Sequence, residues 1–126
     1  YLVGSVLPAQ AYFKAQKLRV LLRQQVLEAL DRVDVLVLPT SAVAAPKVEP
    51  DPVIDGKDKA FRNAAGLTPI FSLASTPALS INCGFTSQDL PIGLQIGGKP
   101  FDEETVLRVA YAYEQNTPWH NRKPPL

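Results

Sequence analysis

One stretch limits the folds open to this chain more than any other: LPIGLQIGGKPFDEETVLRVAYAYEQ, Leu90 to Gln115. Its period changes in the middle. Ile92, Leu94 and Ile96 alternate with Gly93, Gln95 and Gly97, the spacing of a strand with one bulky face. Gly98 and Pro100 break the run. Asp102 then stands where a helix cap is wanted, and Glu103 and Glu104 suit the positive end of a helix dipole. Phe101 and Val106 hold the two positions of a hydrophobic staple. The pattern predicts a helix to about Gln115, ended by Asn116 and Pro118. A strand that feeds an amphipathic helix this directly belongs to a layered arrangement of sheet and helix. The odd feature is the second face of the strand. Gly, Gln, Gly covers little core and lets something else come close.

The rest of the chain agrees with a layered fold. After Pro8, Ala11, Ala15, Leu18, Leu22, Val26, Ala29 and Val33 recur at spacings of three and four, which predicts a helix with that buried stripe. Lys14, Arg19, Arg23, Glu28 and Arg32 fall off the stripe and read as a solvated face. DVLVLPTS, Asp34 to Ser41, is a short continuous apolar run, expected to be a strand buried on both faces and ended by Pro39. A long segment follows with Pro46, Pro50, Pro52 and the turn pair Asp55-Gly56; Lys57 to Ala65 has the makings of a short helix. TPALSINCGF is a further strand, with Leu79, Ile81, Cys83 and Phe85 on one face and Ala78, Ser80, Asn82 and Gly84 on the other. TSQD turns the chain into LPIGLQIGG, so the two strands should form a hairpin. Aligned, Ser80, Asn82, Gly84, Gly93, Gln95 and Gly97 would make one small-residue surface. Either another backbone approaches that surface or its glycines relieve crowding against a local helix. Gln95, an amide between two glycines, should be buried and need hydrogen-bond partners.

Chemistry is sparse. The 126 residues amount to one domain, and a net charge of +1 without a basic stripe gives no case for nucleic acid. No apolar run approaches the roughly 20 residues of a membrane span. A single cysteine and a single histidine make neither a disulfide nor a zinc site, so no metal or cofactor is expected, and the lone thiol fits a reducing cytoplasm. Cys83 lies mid-strand on an apolar face, where free cysteine behaves as a small hydrophobe, and His120 lies in a Pro-rich tail. Gly97-Gly98-Lys99 lacks the first glycine and the spacing of a phosphate loop. The chain has no methionine and opens at Tyr1 directly into patterned sequence, which reads as a piece of a longer chain.

In order, DVLVLPT, TPIFSLASTPALSINCGF, LPIGLQIGGKPFDEETVLRVAYAYEQ and the closing Trp119 resemble the C-terminal part of the amidase signature family. The resemblance spans essentially the whole chain. It implies an α/β fold with a mixed sheet flanked by helices, residues 1–126 forming the C-terminal segment of an amidase domain. It also implies hydrolysis of carbon–nitrogen amide bonds by a serine nucleophile, a second serine with a cis peptide bond, and a lysine. No Gly/Ser-rich segment of that kind stands in this sequence, and no lysine sits in a matching motif, so no catalytic residue is carried over. Thr68, Ile70, Phe71 and Ile92 are the candidate substrate-pocket residues, and Gln95, Gly93 and Gly97 the candidate support beside the site. Asn82 stands where the family usually has Pro, and Ser75-Thr76 replace a Gly-containing pair. Ala65 falls where tRNA-dependent amidotransferase A subunits tend to have Asp, which argues against that branch and for a general amidase acting on a neutral small-molecule amide. A non-catalytic binding or scaffold module is the other reading. Cut from its other half, the chain should associate with itself.

Overall fold

The structure, a computed structural model, describes Gly4, residues 6–45 and residues 67–123. The expected turn at Asp55-Gly56, the expected helix at Lys57 to Ala65, and Ala65 itself lie outside the described residues.

Helix α1 (Ala9–Leu30) starts after Pro8, whose extended backbone sets the cap position. Strand β1 (Val35–Pro39) follows, then a one-and-a-half-turn helix α2 (Pro69–Ala74), strands β2 (Ala78–Phe85) and β3 (Pro91–Gly98), and helix α3 (Glu103–Gln115). The strands form one sheet in the order β1-β3-β2, so the Gly-Gln-Gly strand is the central one. Leu38 and Ser80 flank Gln95 on either side, and Leu36 and Ala78 flank Gly97. Among the described residues every pairing is antiparallel, where a mixed sheet was expected.

Helices cover both faces. On the bulky face, Ile81 and Ile96 pack with Val106 and Ala110 of α3, joined by Val35, Leu79 and Leu94. On the small face, Val26 and Leu30 of α1 pack with Ala74 of α2, joined by Leu36 and Ile70. Phe71 and Leu30 are each 1% exposed. Burying an apolar side chain of this size contributes about 2–3 kcal/mol.

Further expectations need correction. β1 is an edge strand: Val35 and Leu36 each reach a core cluster, but Val37 is 50% exposed, so the run is not buried on both faces. The α1 stripe holds only at its C-terminal end. Val26 and Leu30 are buried one turn apart, while Ala11, Ala15, Leu18 and Val33 stay exposed. The alternation in β2 is interrupted by a bulge between Asn82 and Gly84. Asn82 lies opposite Gly93, but Gly84 lies opposite Ile92, which takes Gly84 off the small face and makes Cys83 the extra residue. Asn82 Oδ1 accepts the Gly84 N–H at 3.0 Å, so this side chain satisfies a donor that the bulge frees. The staple does not form either. Phe101 has φ 63° and is 96% exposed, and Val106 packs inward alone. Asp102 caps α3 as expected, its Oδ1 accepting the Thr105 N–H at 3.3 Å.

Arg19 and Arg23 are no solvated face. The Arg19 guanidinium donates to Leu73 O at 2.8 Å and to Ser75 Oγ at 2.6 Å. Arg23 donates to Ala74 O and, at 3.2 Å, to Ser75 O. These carbonyls end α2, a helix too short to persist alone. Ser75 follows it at φ 54°, a left-handed conformation that costs a residue with a side chain about 1–2 kcal/mol. The two guanidiniums offset that cost, since a hydrogen bond to a charged donor is worth about 1.5–3 kcal/mol. The Ser75-Thr76 turn thus works without glycine because α1 holds its carbonyls.

The tail folds back over the hairpin. A single 3-10 turn, Trp119–Asn121, brings the Trp119 ring 6.2 Å from that of Phe85. The Arg122 guanidinium sits 4.0 Å over the Phe85 ring and donates to Asp89 at 2.9 Å.

Candidate functional site

The small face of the central strand makes two different close contacts. At Gly97 a side chain would run into the ring of Phe71, so this glycine lets α2 lie directly on the central strand. At Gly93 a Cβ would stand 2.7 Å from Thr40 Oγ1 and 3.0 Å from Ser80 Oγ. Those two hydroxyls are 2.5 Å apart. They come from either side of the sheet and meet across the central strand, because Gly93 leaves the space. At both glycines the close neighbour belongs to this chain.

Gln95 lies between them. It is 7% exposed, and its Oε1 finds no hydrogen-bond partner among the described residues. The burial is as expected, but the expected partner is not found at that oxygen. A buried acceptor left in this state costs about 1–3 kcal/mol.

Beside the hydroxyl pair, where β1 and β2 end, is a cavity of about 470 Å³. Residues 40–45 form one wall, and Thr86 and residues 91–93 the other. The first wall is shaped by Ser41, whose Oγ donates to Val43 O at 2.7 Å and accepts the Val43 N–H at 3.3 Å, a local turn that presents Ala42 and Val43. The second wall is fixed by the hairpin: Thr86 N–H donates to Leu90 O at 2.9 Å, and Thr86 Oγ1 accepts from Leu90 N–H at 3.2 Å. Among the described residues no Asp, Glu, His, Cys, Lys or Arg lines this cavity. Among the described residues its hydroxyls have no side-chain base beside them, the neighbour that activates a hydroxyl nucleophile. The described residues hold no cluster of three or more metal-ligating acids, histidines or cysteines.

The expected pocket residues separate. Ile92, 41% exposed, lines this cavity, as does Gly93. Phe71 is buried against Gly97, Ile70 packs on the Val26–Leu30–Ala74 cluster, and Thr68 is exposed at the start of α2. Thr40, Thr86 and the wall at residues 41–45 were not picked out in the sequence. Their only signal was position: PTS ends a strand, and β1 then pairs with β3, which brings the loop to Ile92. A second cavity, about 570 Å³, opens where α1 meets Ser75 and Pro100; its two arginines are those that hold the end of α2.

Known proteins share both this sequence and this fold. The family profile described as Amidase matches residues 2–107. The A subunit of a glutamyl-tRNA(Gln) amidotransferase from Synechococcus sp. (strain JA-2-3B'a(2-13)) is 48% identical over 116 residues, covering 91% of this chain and 22% of its own length. The corresponding protein of Methanosarcina mazei is 46% identical over 114 residues, covering 90% and 23%. In fold, the corresponding protein of Thermotoga maritima superposes with a TM-score of 0.72 at 35% identity, covering 86% of this chain and 23% of that one. A crystal structure described as an amidase gives 0.77 at 29% identity, covering 91% and 27%. The chain spans less than a quarter of the length of either of these curated relatives.

Proposed function

The chain belongs to the amidase family, and from that premise we propose that it is the C-terminal segment of an enzyme that hydrolyses carbon–nitrogen amide bonds. In this reading the catalytic serine, second serine and lysine lie outside the 126 residues. The chain supplies part of the central sheet and one wall of the substrate pocket. Hydrolysis places the water oxygen on the acyl carbon and a proton on the departing nitrogen. The family match carries the proposal. Two further observations support it: relatives about four times longer, and a cavity whose described walls hold hydroxyls and apolar groups but no base. The small-molecule amide would reach the cavity between residues 40–45 and Ile92. A reducing, cytoplasmic setting fits the single free thiol of Cys83. No helix among the described residues is long and apolar enough to cross a membrane.

A second reading, an amidotransferase A subunit working with partner subunits, is favoured by the 46–48% identity to proteins of that name. Ala65 opposes it. A serine-directed phosphonate tests the shared premise in the longer protein. Labelling of one serine outside residues 1–126, with loss of amide hydrolysis, is the expected result. Full activity after exhaustive treatment would overturn the serine nucleophile, and a longer protein with neither labelling nor amide hydrolysis would favour the scaffold reading.

The isolated chain should also self-associate. Tyr12, Phe13, Leu18, Val20 and Leu21 are each at least half exposed on α1, and Val37 is exposed on the edge strand β1. Apolar surface and strand edges of this kind pair with other chains. Light scattering at micromolar concentration should give a mass above that of the monomer. A clean monomer would show that these surfaces need no cover.

A further inference from the structure

We infer that the groove where α1 meets the turn between β3 and α3 is closed, in the longer protein, by the part of that protein outside residues 1–126, and that Phe101 is the anchor of this contact. The inference rests on the amidase reading above for the existence of the longer chain. It begins with the turn. The Asp102 N–H donates to Lys99 O at 3.1 Å, which closes the turn Lys99 to Asp102. Pro100 holds its second position and Phe101, at φ 63°, its third. In a turn of type II that third position calls for glycine, because a Cβ is strained at positive φ. Phe101 carries a whole ring there instead, and the residue is 96% exposed. Within this chain it is unfavourable twice over: its backbone is strained, and its aromatic surface stands in water. Asp102 caps α3 through its own side chain, so the cap asks nothing of the ring before it.

The groove beside the turn suits the same contact. Its volume is about 570 Å³; Val20 of α1 gives it one apolar wall, Pro77 and Pro100 another, and Phe101 also lines it. Val20 is more than half exposed. So is Phe13, seven residues earlier on the same side of α1, and the apolar surface thus continues along the helix. Arg19 and Glu103 add charged groups to the groove. An exposed aromatic beside carbon surface, with charges among it, is the make-up of a protein contact in which a few anchors carry most of the energy. Thr76 is an independent sign. It lines the groove, and its Oγ1 is buried with no hydrogen-bond partner among the described residues. The occupant follows from length. The curated relatives are about four times longer than this chain, and the amidase that superposes on 91% of it uses 27% of its own length to do so. A tethered segment meets the groove at a far higher effective concentration than a second copy does.

The test uses the longer protein. Hydroxyl-radical labelling of the wild type, read by mass spectrometry, should modify Phe101 several-fold more slowly in the native state than in urea. A photo-crosslinking phenylalanine analogue at position 101 should join to a peptide outside residues 1–126 of the same molecule. Phe101→Gly relieves the turn, yet it should lower the melting midpoint by at least about 2 °C, and Phe101→Leu should recover part of that loss. The sign is decisive, because glycine at φ 63° should raise the midpoint if the ring stands in water in the longer protein too. Equal labelling in native and unfolded protein, a raised midpoint for Phe101→Gly, or a crosslink within residues 1–126 would overturn the inference. A crosslink between two molecules that fades on dilution would place a second copy in the groove and overturn it as well. None of these readouts uses amide hydrolysis. Their failure leaves the amidase reading standing, and an inactive longer protein would remove that reading alone.

Discussion

Replacing Gly97 with valine is expected to destabilise the chain by about 3 kcal/mol or more, the upper range for overpacking a close-packed core. The new side chain would overlap the Phe71 ring, which is 1% exposed and has no free space to move into. α2 would have to lift off the sheet. The Val26–Leu30–Ala74 cluster and the four hydrogen bonds from Arg19 and Arg23 would loosen with it. Gly93→Ala should cost less, about 1–2 kcal/mol, because two of the three atoms its new methyl meets are hydroxyl oxygens at a half-exposed site, while Thr40 Cβ, at 2.9 Å, must also shift. Denaturant midpoints of the two variants make the comparison. Pairing Gly97→Ala with Phe71→Leu should recover part of the loss, since the two residues compete for one space. Equal midpoints for Gly97→Val and the wild type would mean that α2 does not rest on β3.

That contrast shows what was legible in the sequence and what was not. The hairpin and α3 could be read directly, because their signals are local: alternation in β3, a polar turn at TSQD, and Asp102 at a cap. The glycine face was legible as a close approach, with a local helix one of the two occupants expected, but the residue that fills it was not. Phe71 reaches Gly97 only through tertiary packing, and nothing in FSLAST announces it. The bulge at Cys83 escaped for a related reason. ALSINCGF alternates without a break on paper, and only pairing against β3 reveals the extra residue. Arg19 and Arg23 were misassigned because position on a helical wheel says nothing about carbonyls supplied from 50 or so residues away, which the chain brings there by folding α2 across α1. Ile92, one of the four candidate pocket residues, lines a cavity, while Ile70 and Phe71 pack in the interior. The facing wall at residues 40–45 read as a plain loop, since its role depends on the β1–β3 pairing.

The largest expected effect is on catalysis. If the serine, second serine and lysine lie outside the chain, the purified 126 residues should have no measurable amide hydrolysis. Loss of a nucleophile and its base costs about six orders of magnitude in rate in the best-measured serine hydrolase. The hydroxyls present do not replace them. Thr40 and Ser80 bond each other, Ser41 is held by Val43, and no described base lines the cavity. On the proposed reading, the isolated chain should bind an amide weakly without turning it over.

The most direct measurement sets the isolated chain beside the longer protein that carries it, at equal molar concentration, on butyramide and benzamide, with released ammonia as the readout. Ammonia from the longer protein alone, abolished by a serine-directed phosphonate, is the predicted result. Phosphonate-sensitive ammonia release by the 126 residues themselves would contradict it, and would place the catalytic serine inside this chain.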